Sequence, residues 1–319
     1  MVCSSKGAGD AAGEFFAGAD GVDECLRRCR ADVCLSAAGG LAGLRPTLTA
    51  IDCGMEIALA NKETLVAAGD VIMALVQEKK IALRPVDSEH SAIAQCLRAG
   101  ALHEVSRLLV TGSGGPFREW PKQKLAAATP ADALRHPTWS MGRKITLDSA
   151  TLANKALEVI EAHHLFSMPY ERIAVLIHPQ SIVHGAVEFA DGALVAQMGA
   201  PDMRLPILYA LTGGARCETG AERLTLERLS SLTFAAPDLG RFPMLALGLE
   251  AARRGGLAPA VYSAANEAAV QLFLAGKLSF PGIAAQVEAA MARVPALPVT
   301  LANVLAADAE ARARVANDS

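Results

Sequence analysis

The chain has 319 residues, of which 52% are hydrophobic and 20% charged, and its formal net charge is −3. This balance predicts a globular protein with a sizeable core and gives no reason to expect nucleic acid as a partner. No apolar run reaches the roughly 18 residues of a membrane-spanning helix, so no membrane partner is expected either. No signal segment opens the chain and the seven cysteines form no CxxC pair. A reducing cytoplasm, or an organelle reached after removal of a transit peptide, fits this pattern best.

The first 30 residues are rich in glycine and alanine, and they predict a loose end or a weak helix. From residue 32 onward, short apolar runs alternate with amphipathic runs, which predicts a parallel sheet with helices on its faces. The predicted strands are residues 32–40, 55–60 and 81–86, and the predicted helices are residues 44–54 and 63–80. Ligands of such sheets bind beyond the carboxyl ends of the strands. "LANKE" (59–63) and "PVDSEH" (85–90) both fall at those ends.

The pattern then changes to that of a mixed or antiparallel sheet. Runs at 105–112 and 171–179 predict strands, and Asp191-Gly192 is a turn signal between two further strands. Beyond Leu239 the sequence predicts helices almost throughout. The predicted organisation is residues 1–86, 87–212, a connector at 213–238, and 239–319.

Three carboxylates are candidates for a metal site. Asp87 and Glu89 end a predicted strand, and Glu158 lies in "LDSATLANKALEV". Hard cations such as Mg²⁺ and Mn²⁺ prefer oxygen ligands and often keep positions open for substrate oxygens. The alternative is that these are solvated strand-end charges, or charges stabilised by a helix N-terminus.

Two further segments have the composition of an anion site. "TGSGGPFRE" (111–119) offers backbone N–H groups and the Ser113 hydroxyl, unless it is only a flexible loop. "DSATLANK" offers Ser149, Asn154 and Lys155 close to Glu158 on a helix. An ordinary ion pair between Lys155 and Glu158 is the alternative there.

Residues 136–144, "HPTWSMGRK", have the proline, glycine and single large aromatic of a mobile lid. Trp139 has few apolar neighbours in sequence, although packing in the core is an alternative. Lys62 stands at a strand end, where Asn61 and Glu63 are placed to face a ligand. A surface salt bridge is the alternative for Lys62.

Long segments together carry a family resemblance. "LANKETLV", "PVDSEHSAI", "VTGSGGPFRE", "HPTWSMGRKITLDSATLANKALEVIEA", "IHPQSIVHGAVEFADGALVAQMGAPDMRLPI" and "AANEAAVQLFLAGKL" resemble 1-deoxy-D-xylulose 5-phosphate reductoisomerases, in order, from about Ala31 to near the C-terminus. The resemblance implies an α/β protein. Its parts would be a truncated Rossmann-like parallel sheet, an α+β catalytic domain and a C-terminal helical domain.

The resemblance also implies an activity: NADPH-dependent conversion of 1-deoxy-D-xylulose 5-phosphate to 2-C-methyl-D-erythritol 4-phosphate, in the non-mevalonate isoprenoid pathway. It implies a homodimer that uses Mg²⁺ or Mn²⁺. The implied metal ligands are Asp87, Glu89 and Glu158, and these with Lys62 are the implied catalytic residues. The implied substrate contacts are Lys62, Ser88, Glu89, Ser113, His136, Trp139, Ser149, Asn154, Lys155 and Glu158. The implied cofactor contacts are Asn61, Glu63 and Gly142, and His90 has no implied role.

The chain departs from the family pattern at its start. The family opens with a strand and a glycine-rich phosphate turn, whereas here Gly7, Gly9 and Ala12 match such a turn only superficially, without a surrounding βαβ unit. We therefore keep two alternatives to the reductoisomerase. One is a remnant that binds metal and sugar phosphate but uses NADPH poorly or not at all. The other is a metal-dependent sugar-phosphate isomerase that needs no nicotinamide.

Overall fold

The computed structural model describes residues 2–3, 14–29, 31–229 and 231–317. Its N-terminal elements are two short parallel strands and a helix: β1 (Val2–Cys3), β2 (Phe15–Phe16) and α1 (Gly18–Arg28). The sequence predicted a loose end or a weak helix here, and α1 is that helix, whereas the two strands were not predicted. The glycine-turn candidate of Gly7, Gly9 and Ala12 lies outside the described residues.

A parallel three-stranded sheet follows. Its elements are β3 (Val33–Ser36), α2 (Leu44–Asp52), β4 (Glu56–Leu59), α3 (Lys62–Lys79) and β5 (Leu83–Pro85). The strand order is β3-β4-β5, with both pairs parallel, which confirms the predicted alternation. Gly54 follows the end of α2 with φ of +80°. Glycine adopts this left-handed conformation without steric cost, which is why it is common after helix ends. The carboxyl ends of β4 and β5 lead directly into "LANKE" and "PVDSEH".

The middle of the chain builds a mixed four-stranded sheet. Its strands are β6 (Val105–Gly112), β7 (Ile173–Ile177), β8 (Val183–Phe189) and β9 (Leu194–Met198). The order is β7-β6-β8-β9, with β6 parallel to β7 and antiparallel to β8. β8 and β9 form the predicted hairpin at Asp191-Gly192, where Gly192 has φ of +88°. The accompanying helices are α4 (Ser88–Cys96), α5 (Lys122–Leu125), α6 (Pro130–Ala133), α7 (Arg143–Thr151), α8 (Ala153–Phe166) and α9 (Arg204–Leu211).

The C-terminal part is helical, as predicted. Its helices are α10 (Pro243–Arg254), α11 (Ala258–Leu274), α12 (Phe280–Met291) and α13 (Leu301–Asn317). They share one hydrophobic cluster with α2, α3, α7 and α8, so this cluster extends from the parallel sheet to the C-terminus. Between α9 and α10 the described residues are mostly irregular, apart from a short 3-10 helix at Leu226–Arg228 and an antiparallel bridge that Ala235 forms with Ile177 of β7. Among the described helices, none has both the length and the apolar surface required to cross a membrane.

Close helix packing at Gly248 generates a stability prediction. A Cβ added at Gly248 of α10 would lie 2.3 Å from the Ala156 Cβ on α8 and 2.9 Å from the Tyr262 Cζ on α11. We expect Gly248→Ala to lower the free energy of unfolding by about 1–3 kcal/mol, because overpacking outweighs the gain in helix propensity. Denaturant unfolding measures this. Gly282→Ala in α12 is the matched control, since its Cβ meets mainly the movable end of Leu278. Equal midpoints for wild type and Gly248→Ala would contradict the packing argument.

Candidate functional site

A cleft of about 220 Å³ opens beside the carboxyl ends of β4, β5 and β6. All ten predicted substrate contacts line it, together with Asp87. They come from four segments that are distant in sequence: Lys62, Asp87–Glu89, Ser113 and 136–158. The three predicted cofactor residues are not part of this lining. The fold therefore gathers the predicted substrate and metal residues into one place.

The three predicted metal ligands converge in this cleft. Asp87 follows β5, Glu89 lies in the first turn of α4, and Glu158 is fully buried on α8. Each offers a carboxylate oxygen, and the three oxygens lie within 4.8 Å of one another. The positive end of α4 favours negative charge at Asp87 and Glu89. Three clustered carboxylates are the donor set of a hard divalent cation, so these residues fit Mg²⁺ or Mn²⁺.

Lys62 is a buried cation between these acidic groups. Its Nζ donates to Asn154 Oδ1 at 2.8 Å and to Glu158 Oε1 at 3.2 Å, and it also forms an ion pair with Asp87. The Lys62 side chain is only 6% exposed. Burial acts to lower the Lys62 pKa, but the carboxylates of Asp87 and Glu158 outweigh it and hold the pKa well above its usual value. Lys62 therefore remains charged.

Lys155 is the second buried cation. Its Nζ donates to Glu89 Oε1 at 2.5 Å, to Glu158 Oε2 at 2.6 Å and to the Thr111 carbonyl at 2.9 Å. Its side chain reaches β6 because Gly112 carries no Cβ, which would lie 2.6 Å from Lys155 Cε. The ion pair between Lys155 and Glu158, which was the alternative interpretation of this segment, therefore exists as one part of a larger cluster. Two ammonium groups among three carboxylates leave room for further positive charge.

The carboxylates differ in their acidity. Burial, with a further contribution from Glu89, raises the pKa of Glu158 to about 7, although Lys155 and Lys62 oppose this shift. Burial also acts to raise the pKa of Asp87, but Lys62 outweighs it and the pKa falls below its usual range. A bound cation would favour the ionised form of Glu158, since opposite charge stabilises a carboxylate.

Leu152 joins the two helices that supply most of the cleft. α7 ends at Thr151 and α8 begins at Ala153, and Leu152 between them has φ of +63°. This left-handed conformation costs a branched residue about 1–2 kcal/mol. The Leu152 side chain is 2% exposed and packs in the main hydrophobic cluster, which holds the conformation in place. The turn brings Ser149 on α7 and Asn154 on α8 to the same cleft.

A pocket of hydroxyl groups around one imidazole lies beside the acidic cluster. His136 Nε2 is 3.1 Å from both Ser113 Oγ and Ser149 Oγ. The backbone N–H groups of Thr138 and Trp139 donate to His136 Nδ1, so the proton of the neutral ring lies on Nε2. Burial, followed by the charge of Lys155, lowers the His136 pKa to about 4. A neutral donor and two hydroxyls, with a lysine nearby, suit a phosphate group.

The glycine-rich turn that carries Ser113 is tightly packed. Gly115 has φ of +70°, and a Cβ there would lie 2.5 Å from the Ser149 carbonyl oxygen. Only glycine can combine this conformation with so close an approach. The turn is therefore held in one conformation by its packing and is not a free loop.

Two of the predicted cofactor residues, Asn61 and Glu63, flank Lys62 in the sequence. Asn61 donates through Nδ2 to the Gly40 carbonyl at 2.8 Å and to the Ala38 carbonyl, and among the described residues its buried Oδ1 has no hydrogen-bond partner. Gly142 precedes α7, with open space where a Cβ would stand. The Asn61 amide oxygen and the accessible backbone at Gly142 are groups that could hydrogen-bond to the polar end of a nucleotide. Glu63 instead forms an ion pair, described below.

His90, which had no predicted role, lies buried among the acidic groups. Its Nε2 lies 2.8 Å from the Glu158 carbonyl oxygen, and its Nδ1 lies 3.5 Å from Glu161 and 3.9 Å from Asp87. Burial raises the pKa of Glu161 to about 8, against the pull of His90. The spacing of Glu161, one helical turn after Glu158, was the only sequence signal for this arrangement.

Sequence reasoning also missed part of the cleft wall. The missed lining residues include His178, Ser181, His184 and Met203, whereas Met141 lies in the segment predicted as a lid. His184 lies 6.2 Å from Trp139, measured between ring centroids. "SIVHG" (181–185) was used for the resemblance, but a serine and a histidine in a strand pattern do not reveal which face they occupy.

This arrangement defines a class of protein: an α/β enzyme whose cleft combines an oxygen-rich cation cluster with an anion pocket. Family models identify it further. Residues 4–69 match "1-deoxy-D-xylulose 5-phosphate reductoisomerase", residues 83–166 match the C-terminal domain model of the same name, and residues 198–314 match "DXP reductoisomerase C-terminal domain". The chain belongs to the 1-deoxy-D-xylulose 5-phosphate reductoisomerase family.

Individual relatives agree with this assignment. The reductoisomerase of Chlorobium chlorochromatii is 52% identical over 300 residues, which cover 94% of this chain and 78% of that protein. The Prosthecochloris aestuarii enzyme is 54% identical over 282 residues, covering 88% and 74%. The solved Zymomonas mobilis reductoisomerase, in complex with NADPH, has a TM-score of 0.89 at 46% identity and covers 95% of this chain and 79% of its own. A reductoisomerase structure with NADPH, fosmidomycin and magnesium has a TM-score of 0.91 at 39% identity, with the same coverage.

The acidic cluster generates a binding prediction. Glu158→Gln keeps the size of the side chain but removes a charge from the three converging carboxylates. We expect Mn²⁺ affinity to fall at least about tenfold, equivalent to about 1.4 kcal/mol, in calorimetric titrations of the folded variant. The control is Glu188→Gln, which changes a carboxylate paired with Arg107 on β6 and β8. Unchanged Mn²⁺ affinity in Glu158→Gln would remove Glu158 from the metal site.

Proposed function

We propose that this chain catalyses the reaction for which its family is named, the NADPH-dependent conversion of 1-deoxy-D-xylulose 5-phosphate to 2-C-methyl-D-erythritol 4-phosphate. One observation carries the proposal: the acidic cluster of Asp87, Glu89 and Glu158 shares a single cleft with the pocket of Ser113, His136 and Ser149. A sugar phosphate is a ligand with both features, since it has hydroxyl and carbonyl oxygens at one end and a phosphate at the other.

The acidic end of the cleft is the proposed reaction centre. When bound there by Asp87, Glu89 and Glu158, a divalent cation would act as a Lewis acid towards the substrate oxygens, and NADPH would supply the reducing equivalent. Lys62 stands within hydrogen-bonding distance of two of these carboxylates and of Asn154. Its ammonium group is placed to stabilise negative charge on a substrate oxygen, because it is buried and held in position by these partners.

The other end is the proposed phosphate site. Ser113, Ser149 and the Nε2–H of His136 offer hydrogen-bond donors, and Lys155 and Asn154 extend this set towards the acidic cluster. Ser88, beside Glu89 at the start of α4, is a further proposed substrate contact. Binding energy gained at the phosphate is remote from the reacting carbons and serves to hold them in place.

We further propose the division into a partial cofactor domain at 1–86, a catalytic domain at 87–212, a connector at 213–238 and a helical domain at 239–319. The protein is proposed to act as a homodimer in the cytoplasm. The dimer is what the family resemblance implies, and β9 is an edge strand of the mixed sheet whose outer side is open to pairing. The cytoplasm is the compartment that the scattered cysteines of the sequence favour. No observation favours the two alternative functions.

The lid proposal concerns residues 136–144, hereafter the lid segment. The chain is irregular between α6 and α7, and Trp139 is half-buried beside His184. We expect the fluorescence of Trp139 to shift when sugar phosphate and Mn²⁺ are added, because closure would bury the indole. Trp120→Phe isolates this signal, since the chain has two tryptophans. A silent Trp139 at saturating ligand would count against a lid.

Turnover tests the function itself. The purified chain, given 1-deoxy-D-xylulose 5-phosphate, NADPH and Mn²⁺, should oxidise NADPH and form the branched product, and omission of Mn²⁺ should abolish this. Lys62→Met should lower kcat more than about a hundredfold, in the range found for the loss of one positioned donor. Lys122→Met, on the exposed surface of α5, is the control. Binding of sugar phosphate without any NADPH oxidation would instead establish the remnant alternative.

A further inference from the structure

Lys144 is the last residue of the lid segment and lies in the first turn of α7. Its ammonium group forms an ion pair with Asp148 Oδ2, one turn along the same helix, at 2.7 Å. It forms a second ion pair with Glu63, at the start of α3. Neither pair belongs to the cleft lining, and no role for Lys144 follows from the proposed chemistry.

The contacts of Lys144 continue into the C-terminal helices. Asp148 is 1% exposed, and its other carboxylate oxygen accepts a hydrogen bond of 2.8 Å from Asn266 Nδ2 on α11. Asn266 is fully buried. The four side chains Glu63, Lys144, Asp148 and Asn266, here called the hinge network, connect the start of α3, the end of the lid segment and α11.

A lysine is an unexpected choice at this position. The N-terminal turn of a helix carries partial positive charge, so stability alone favours an acidic residue there. α7 has no acidic residue in its first turn and begins with Arg143 and Lys144. Burial acts to lower the Lys144 pKa, but Asp148 and Glu63 outweigh it and raise the pKa above its usual value. Lys144 is therefore held as a cation in an unfavourable place by two specific partners.

The position of Glu63 links Lys144 to a residue of the proposed reaction centre. Glu63 directly follows Lys62, which contacts Asp87, Asn154 and Glu158. The ion pair therefore links the end of the lid segment to the turn that carries a reaction-centre residue. Gly142, two residues earlier, has no neighbour within 4 Å of where its Cβ would stand. Gly142 can therefore serve as a hinge without steric hindrance, and Lys144 is the first residue after it whose side chain forms an ion pair.

We propose that Lys144 is a positioning residue for the proposed reaction. Through Glu63 and the Asp148–Asn266 pair, it fixes the hinge of the lid segment against α3, so that the lid closes in register with Lys62. This inference rests on the proposed function and deepens it.

The experiment compares Lys144→Gln with Lys144→Arg, in the full chain and in the Trp120→Phe background. We expect Lys144→Gln to raise the KM for sugar phosphate about tenfold, and to raise the midpoint of the Trp139 fluorescence titration by the same factor. Mn²⁺ affinity, measured by calorimetry, should stay unchanged because the metal ligands are intact. Lys144→Arg should recover most of the loss, since it keeps the charge.

Arg143→Gln is the matched control, because it removes the same charge one residue earlier from an exposed side chain with no ion pair among the described residues. An equal effect of Arg143→Gln would overturn the proposal, since it would reveal a general charge effect. A lower unfolding midpoint of Lys144→Gln with an unchanged KM and fluorescence midpoint would also overturn it. If Lys144→Gln does not fold, Glu63→Gln takes its place, and an unchanged fluorescence midpoint in that variant refutes the link to α3. The fluorescence titration needs no turnover, so failure of the proposed function is distinguishable from failure of this inference.

Discussion

The charge balance between two lysines and three carboxylates is the constraint on which the rest of the cleft depends. An unpaired ion in a protein interior is strongly destabilising, and breaking a buried pair costs about 3–5 kcal/mol. Lys62 and Lys155 each contact two of the carboxylates, so no acidic group of the triad is left without a cation. Acidic residues can therefore be concentrated next to a phosphate pocket without unfolding the site.

Several local features follow from the need to bring these groups together. β5 ends so that Asp87 meets the start of α4, and β6 ends at a glycine that lets the Lys155 stem pass. The Thr111 carbonyl is turned to that same ammonium group. Asp87 follows the parallel sheet, the Thr111 carbonyl belongs to the mixed sheet, and Lys155 lies on α8. Each of these parts of the fold therefore supplies groups to the charged cluster.

The sequence predicted the elements that have strong local patterns. The alternation from Val33 to Pro85, the Asp191-Gly192 hairpin and the C-terminal helices have the periodicity of their structures. The convergence of Asp87 and Glu158 was predicted through strand ends and the family resemblance. The hydrogen bond between Asp148 and Asn266, 118 residues apart, carries no local signal, and neither does the His90 contact to the Glu158 carbonyl. Such contacts depend on how helices pack, which periodicity does not specify.

The left-handed Leu152 carries a consequence for how this family can change. A glycine would adopt that backbone more easily, but it would leave a void where the leucine side chain fills the main cluster. The geometry of the cleft and the packing of the core thus both depend on Leu152, which is not part of the cleft lining. Selection for turnover would therefore act on this interior apolar residue as well as on the residues that line the cleft. Substitution of Leu152 is therefore restricted by the geometry that the cleft requires as well as by the stability of the fold.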